Sequence, residues 1–289
     1  MKLDLVDVFG ARALAGNALA VVHGVGEAGD PQMDGAAMLA LTRWLGFSET
    51  AFLLPPTDPA ADYRVRIFYP GGEMDFAGHP TLGSCFAWLA AGGTPRTPGA
   101  VVQQCGVGLV EVRQEADGCL AFAAPPMRRE GPLSDRERAE AARLAGVPDG
   151  SIEEARWADN GPPWQLLVLE SAEAVLAAKP QPRAALGTDI GLAGPAFGAD
   201  GVDWELRAFF TDQHGLFTED PVTGSFNAGV ATLILGKQGA SAAMRAAQGR
   251  CLGADGRIAW SRDADGAVWA GGRCDMIAAG ADLAPPPEL

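Results

Sequence analysis

Basic residues are scarce in this sequence. Lysine and arginine total 22 against 36 aspartates and glutamates, which gives a net charge of -14. Nucleic acids and anionic membranes repel a surface of this sign, so neither is expected as a partner. The sequence also lacks an apolar run of roughly 20 residues, the length that a membrane helix needs. Its first residues include early acids and no long apolar core, unlike a signal peptide, and we expect a cytoplasmic protein.

Motifs for metals and cofactors are missing too. His79 has no second histidine or cysteine at ligand spacing, and there is no P-loop. We therefore expect neither a metal nor a cofactor. The cysteines form no C-x-x-C pair, and we expect reduced, mostly buried thiols. They are Cys85, Cys105, Cys119, Cys251 and Cys274.

Length and composition fit a globular protein of two domains. The chain has 289 residues, of which 48% are hydrophobic and 20% charged. Pro125-Pro126 is the best candidate boundary, so we predict domains over residues 1–124 and 125–289. Many short strands with one long helix in each half favour an α+β fold over a wound parallel sheet.

The most informative stretch reads as a strand, a turn and a helix. The strand covers residues 64–70, and the apolar helix segment covers residues 84–91. Pro80 suits the first position of a helix, where a missing N–H costs nothing. Gly78 lets the backbone approach a ligand closely, and His79 lies on the rim. The N–H groups and dipole of such a helix start attract a carboxylate or another anion.

The same arrangement occurs a second time. A strand over residues 204–210 precedes Asp220, the turn Val222-Thr223-Gly224-Ser225 and an apolar helix over residues 226–235. The spacing differs between the copies, so the repeat is weak. It nevertheless predicts a duplicated domain, with two helix starts facing one cleft.

Other segments have simpler signals. We predict a helix over residues 34–45, a helix opened by the capping box at Ser134, and a short helix over residues 240–247. Residues 47–54 read as an apolar strand that contains Glu49. A buried carboxyl there has its pKa raised toward the range useful for proton transfer. The alternative is an ordinary strand position that faces solvent.

Three signatures together resemble the phenazine-biosynthesis PhzF-like family, within the diaminopimelate-epimerase-like fold. They are Gly16-Asn17, residues 48–52 (Ser-Glu-Thr-Ala-Phe), and the paired turns at 78–81 and 220–225. The resemblance implies two similar domains, each a β-barrel-like sheet wrapped around a central helix. It also implies an active site between them, a homodimer, and a cofactor-free isomerisation by proton transfer on a cyclic amino acid with a conjugated ring.

Site residues follow from the resemblance by position. Glu49 is similar to the family's acid/base residue, and His79, Asp220 and Ser225 to its substrate-binding and assisting groups. Gly78 and Gly224 would supply close backbone approach, and Asn17 belongs to the same set. The chain departs from the family pattern at Ala18 and at Ala254-Asp255, where the family has proline and Arg-Pro.

Alternatives remain for these residues. His79 is also explained as a structural histidine, and Asp220 and Ser225 as helix caps. In racemases of this fold, a cysteine from each half acts as a base, but those positions hold His79 and Ser225 here, which argues against a two-thiol mechanism. We therefore predict a cofactor-independent isomerase acting on a small anionic acid, with epimerisation as a variant. The rival readings are a metabolite-binding protein and a hydrolase that uses Ser225.

Overall fold

The computed structural model describes residues 1–26, 33–237, 239 and 242–284. Contacts between backbone positions divide the chain into two compact units. The first comprises Met1–Ala123 together with the C-terminal segment from Gly271 onward, and the second comprises Ala124–Ala270. Among the described residues, no helix combines the length and the apolar character needed to cross a membrane.

The first unit contains two helices and nine strands in its described part. The helices are α1 (Gly35–Leu45) and α2 (Gly78–Ala90). The strands are β1 (Lys2–Val8), β2 (Asn17–His23), β3 (Thr50–Leu54), β4 (Tyr63–Tyr69), β5 (Gly72–Met74), β6 (Ala100–Cys105), β7 (Gly108–Gln114), β8 (Leu120–Ala123) and, after the second unit, β18 (Cys274–Asp282).

The described part of the second unit contains three α-helices and the nine remaining strands. The helices are α3 (Asp135–Ala145), α4 (Ala172–Ala177) and α5 (Gly224–Leu235). The strands are β9 (Arg129–Pro132), β10 (Ile152–Asp159), β11 (Gln165–Leu169), β12 (Asp189–Pro195), β13 (Trp204–Thr211), β14 (Phe217–Asp220), β15 (Ala243–Gln248), β16 (Gly256–Arg262) and β17 (Val268–Gly272). Short 3₁₀ turns lie at Asp149–Ser151, Ala199–Gly201 and Arg250–Leu252.

The two units share one order of strand pairing, which confirms the predicted α+β fold. In the first unit β2 pairs in parallel with β3, β3 and β5 flank β4 antiparallel, and β6 joins β4 in parallel. In the second unit β11, β12, β13, β14 and β15 repeat these pairings in the same sequence order. Each central helix lies between the last two strands of this series, α2 between β5 and β6 and α5 between β14 and β15.

The central helices are buried because they are apolar almost all round. Helix α2 contacts strands β1, β2, β3, β4, β6, β7, β8 and β18, so the strands of its unit surround it. Gly83 and Gly229 occupy the same position, the sixth residue, of α2 and α5. A side chain at Gly83 would collide with Leu19, and one at Gly229 would press on the Ala158 carbonyl at 3.1 Å. These glycines let strands approach each helix closely.

Several sequence predictions are confirmed and three are wrong. Helix α1 starts at the Asp34 cap and ends at Gly46, and α3 has the complete capping box at Ser134. Residues 243–247, predicted as helix, form part of β15, while 240 and 241 lie outside the described residues. The C-terminal segment, predicted in the second domain, pairs through β18 with β1 and belongs to the first unit. Helix α2 begins at Gly78, so Pro80 is its third residue rather than its first.

Candidate active site

Glu49 lies immediately before β3, in the connection from α1. The sequence predicted it inside the strand, but β3 starts at Thr50. Gly46 ends α1 in the left-handed conformation (φ 75°), and the chain then passes through Phe47 and Ser48 to reach the strand. The Glu49 side chain is 18% exposed, so its carboxyl is largely withdrawn from water without being sealed in the core.

Two features make this carboxyl unusual. Burial raises the pKa of Glu49 from 4.5 to about 7, and the neighbouring Ser48 hydroxyl opposes part of that shift. Its Oε2 atom lies 3.5 Å from Nε2 of His79, within ion-pair range although the geometry is not that of a hydrogen bond. A carboxyl with a pKa near neutrality exists in both protonation states at physiological pH, as an acid/base catalyst requires.

His79 is the second residue of α2 and is 4% exposed. It was predicted on the rim of the helix start, whereas the structure buries it in the first turn. Its Nδ1 atom lies 3.5 Å from the Nδ2 amide of Asn17. Because the amide nitrogen can only donate, this contact assigns the proton of a neutral imidazole to Nε2, on the side of Glu49.

Asn17 is fixed in place by the loop before it. It is the first residue of β2 and is buried. The Asp7 carboxylate accepts hydrogen bonds from the backbone N–H groups of Ala15 (3.1 Å) and Gly16 (3.0 Å). A side chain at Gly16 would collide with the Val8 carbonyl, so only glycine fits there. The Gly16-Asn17 signature therefore forms a turn held by the Asp7 carboxylate, and this turn places the Asn17 side-chain amide next to His79.

The starts of the two central helices differ from those of the other helices. Side chains of Asp34, Ser134 and Ser171 cap α1, α3 and α4. Within the described part of the chain, no side chain caps α2 at Ala77 or α5 at Thr223. Backbone N–H groups at a helix start have no intrahelical acceptor and attract anions together with the dipole. Gly78 and Gly224 are the first residues of these two helices.

Ser225 lies at the start of α5 and is held by two side chains that sequence reasoning missed. The Trp164 indole N–H donates to Ser225 Oγ at 3.2 Å, and the Asn160 amide donates to the Ser225 carbonyl at 2.9 Å. Asn160 follows β10, and the Asn160-Gly161-Pro162 turn was the only signal for it in the sequence. Ser225 is the second helical residue and therefore does not cap the helix.

Asp220 is the last residue of β14 and is joined to the same helix start. Thr223 Oγ donates to Asp220 Oδ2 at 2.6 Å. This bond directs the Thr223 hydroxyl away from the helix, which explains why the N-cap residue makes no capping bond. The predicted site residues thus form two groups: Asn17, Glu49, Gly78 and His79 in the first unit, and Asp220, Gly224 and Ser225 in the second.

The five cysteine thiols are not activated as bases. Burial raises the pKa of all five thiols, so none is activated as a thiolate. Cys251 was predicted to be buried but is exposed in a 3₁₀ turn. The His23 side chain is only 16% exposed and contacts the buried Asp4 carboxylate at 2.6 Å.

Comparisons with known proteins identify the family of this chain. The family model PhzC-PhzF, described as phenazine biosynthesis-like protein, matches residues 6–273. Antisense-enhancing sequence 1 of Schizosaccharomyces pombe is 32% identical over 233 residues, covering 76% of this chain and 75% of that protein. The trans-2,3-dihydro-3-hydroxyanthranilate isomerase of Pseudomonas aeruginosa is 31% identical over 222 residues, with coverage of 76% and 75%.

A solved structure extends the likeness to the whole chain. The structure of a predicted epimerase from Pseudomonas aeruginosa superimposes with a TM-score of 0.75 at 27% identity, covering 98% of this chain and 99% of that one. The duplicated α+β fold is therefore that of a known enzyme group. The chain belongs to the PhzC-PhzF family of phenazine biosynthesis-like proteins and is an isomerase of that family.

Proposed function

We propose that Glu49 is the general acid/base of an isomerase that moves a proton between two carbons of a small amino or hydroxy acid. The observation that supports this most is the buried Glu49 carboxyl, whose pKa is about 7, beside His79 at 3.5 Å. A single group that is both acid and base near neutral pH can take a proton from one carbon and return it to another.

The proposed reaction balances without a cofactor. Glu49 as carboxylate removes a proton from a carbon next to a double bond, and the electron pair of that C–H bond shifts into the conjugated system. The protonated Glu49, whose acidic proton exchanges with solvent, then gives one proton to the far carbon of that system. Substrate and product have the same atoms and oxidation state. A neutral His79 with its proton on Nε2 stabilises the carboxylate form of Glu49 between turnovers.

The uncapped start of α2 supports an acid as substrate. Its backbone N–H groups and dipole favour a carboxylate, and Gly78 keeps that position clear of a side chain. The relative named trans-2,3-dihydro-3-hydroxyanthranilate isomerase favours a cyclic amino acid with ring unsaturation. We propose this class without assigning the chain to phenazine synthesis, because only the family is shared with that relative.

We propose Asp220 and Ser225 as substrate-contacting residues, on the strength of the resemblance. Ser225 as a hydrolase nucleophile is disfavoured, because its Oγ accepts a hydrogen bond from the Trp164 indole, which cannot act as a base. A serine-directed phosphonate should therefore leave the enzyme unlabelled. We also propose that the protein acts as a homodimer in the cytoplasm, where its five free cysteines would stay reduced.

The test is incorporation of solvent deuterium. The wild-type protein is incubated in D2O with cyclic and acyclic amino and hydroxy acids, and proton NMR follows each carbon-bound hydrogen. We expect exchange at a carbon conjugated with the substrate's double bond, together with formation of the isomer. Compounds that raise the melting temperature while none shows exchange would contradict the proposal and would favour a metabolite-binding protein.

A further inference from the structure

Gln248 is a buried residue for which the proposed reaction gives no role. It ends β15 and has no exposed surface. Its side chain makes four hydrogen bonds to the segment from β14 to the first turn of α5. Its Oε1 accepts from Thr223 N (3.1 Å) and Asn227 Nδ2 (2.8 Å), and its Nε2 donates to the Asp220 carbonyl (3.0 Å) and to Thr223 Oγ (2.9 Å).

The direction of every bond in this network is determined. The Thr223 backbone N–H can only donate and the Asp220 carbonyl can only accept, so the Gln248 amide has one orientation. Its Nε2 then donates to Thr223 Oγ, and the single hydroxyl proton of Thr223 is left to point at Asp220 Oδ2, 2.6 Å away. A chain of donors therefore runs from Gln248 through Thr223 to the Asp220 carboxylate.

We propose that Gln248, acting through Thr223, is a positioning residue that fixes the Asp220 carboxylate and keeps the start of α5 uncapped. This inference rests on the proposed function, because it gives Asp220 a part in the reaction. Without the bond from Gln248, the Thr223 hydroxyl is free to rotate and cap the helix, as serine and threonine commonly do. The carboxylate would then lose a charge-assisted bond, and the helix start would lose its open amides.

The first unit has an equivalent glutamine that lacks this connection. Gln103 lies on β6, which pairs with β4 as β15 pairs with β13. Its Oε1 accepts a hydrogen bond from Tyr63 Oη at 2.8 Å, and its Nε2 donates to Thr81 Oγ at 3.2 Å. Gln103 therefore binds the first turn of α2. Thr81 is the fourth helical residue rather than the cap, and neither of these bonds reaches a carboxylate. Fixing the helix is thus common to both units, whereas the connection to an acid is specific to Gln248.

The test removes the chain of donors at two points. Gln248→Glu keeps the acceptor for Thr223 N and Asn227, and its ionised form loses both donated bonds. Thr223→Val removes only the hydroxyl. If Gln248→Glu does not fold, Thr223→Val by itself tests the inference. We expect each variant to lower kcat/KM for the exchanging substrate by about 10- to 100-fold, as small misplacements of a reacting group do. Thr223→Ser, which restores a hydroxyl, should recover most of the activity.

A matched control and a double-mutant cycle separate positioning from stability. Thr232→Val removes a hydroxyl of the same helix that donates to the Ala228 carbonyl (2.9 Å), and it should leave kcat/KM unchanged. In an Asp220→Asn background, Thr223→Val should cause little further loss, because the two residues act as a unit. Full additivity, or lower melting temperatures with unchanged kcat/KM, would overturn the inference. An inactive wild type would instead refute the proposed function, and a fully active Asp220→Asn would refute only the positioning role.

Discussion

Glu49 and His79 are brought to 3.5 Å (Oε2 to Nε2) by two different connections, the one that leads into β3 and the one that starts α2. Neither residue lies in the interior of a strand, and both are largely buried. Placing a carboxyl there costs folding free energy, because burial favours its neutral form. A cost of this kind at a site with a chemical use is expected of an active site.

Replacing Glu49 should therefore stabilise the protein in a pH-dependent way. The folded pKa of about 7 lies above 4.5, so between these values the folded state binds more protons than the unfolded state. The free energy of unfolding then falls as pH rises through this window, by roughly 3 kcal/mol at most. Glu49→Gln removes this loss. Denaturant unfolding should find the variant more stable than wild type at pH 8 and nearly equal at pH 4.5; equal stability at both pH values would show that Glu49 is not buried as described.

The tautomer of His79 is a second test. The contact from Asn17 Nδ2 places an acceptor at Nδ1 and the proton at Nε2. The chain has three histidines, so ¹⁵N NMR of imidazole nitrogens is readily assigned with a His79→Gln variant. We expect an unprotonated Nδ1 at neutral pH. A protonated Nδ1 would mean that Asn17 presents its oxygen to the ring, and the role given to His79 would have to be reversed.

A capping side chain added at the start of α2 should raise the stability of the protein and weaken substrate binding. Ala77 has the extended backbone of an N-cap residue (φ -150°, ψ 140°). Ala77→Ser would supply the missing capping bond and raise the free energy of unfolding by about 1 kcal/mol. The same bond occupies N–H groups proposed to bind the substrate carboxylate, so KM should rise.

A cap on another helix provides the matched control for Ala77→Ser. Ser134→Ala removes the cap of α3, which lies outside the proposed site. It should lower stability by about 1 kcal/mol and leave KM unchanged. If Ala77→Ser stabilises the protein without any effect on KM, the start of α2 does not bind the substrate.

Thiol modification should have no effect on the reaction. Cys251 is the exposed cysteine and should react first with iodoacetamide, although partial burial of its thiol raises its pKa above the usual range. It lies in the 3₁₀ turn after β15, away from Glu49 in the chain, and no thiol has the lowered pKa of a catalytic base. Mass spectrometry should show that the protein is alkylated, and the deuterium assay should show that its activity is retained. Inactivation in proportion to labelling would favour a thiol mechanism.

Local signals in the sequence predicted most elements, and long-range contacts decided the rest. The capping box at Ser134 and Gly46 after α1 act within a few residues, so both helix boundaries were predicted. The strand over 243–248 was misread because its alanines carry no clear period, and its parallel partner β13 lies far from it in the chain. The C-terminal strand was assigned to the wrong unit for the same reason.

The sequence predicted candidate site residues, but it did not predict the side chains that hold them in place. Glu49 and His79 stand in recognisable turns. Asn160, Trp164 and Gln248 reach the start of α5 from 21 to 65 residues away, and no spacing in the sequence reveals such contacts. A buried glutamine in an alanine-rich strand is the one signal that was overlooked, because an amide in such a place needs polar partners.

The most direct test of the account is the deuterium assay applied to Glu49→Gln. Glutamine keeps the size of the side chain but cannot act as a general acid or base. Deuterium exchange into the substrate should therefore fall by about 100-fold or more. Glu153→Gln, at an exposed position in β10, provides the matched control and should behave as wild type. Exchange by Glu49→Gln within a factor of a few of wild type would contradict the claim that Glu49 moves the proton.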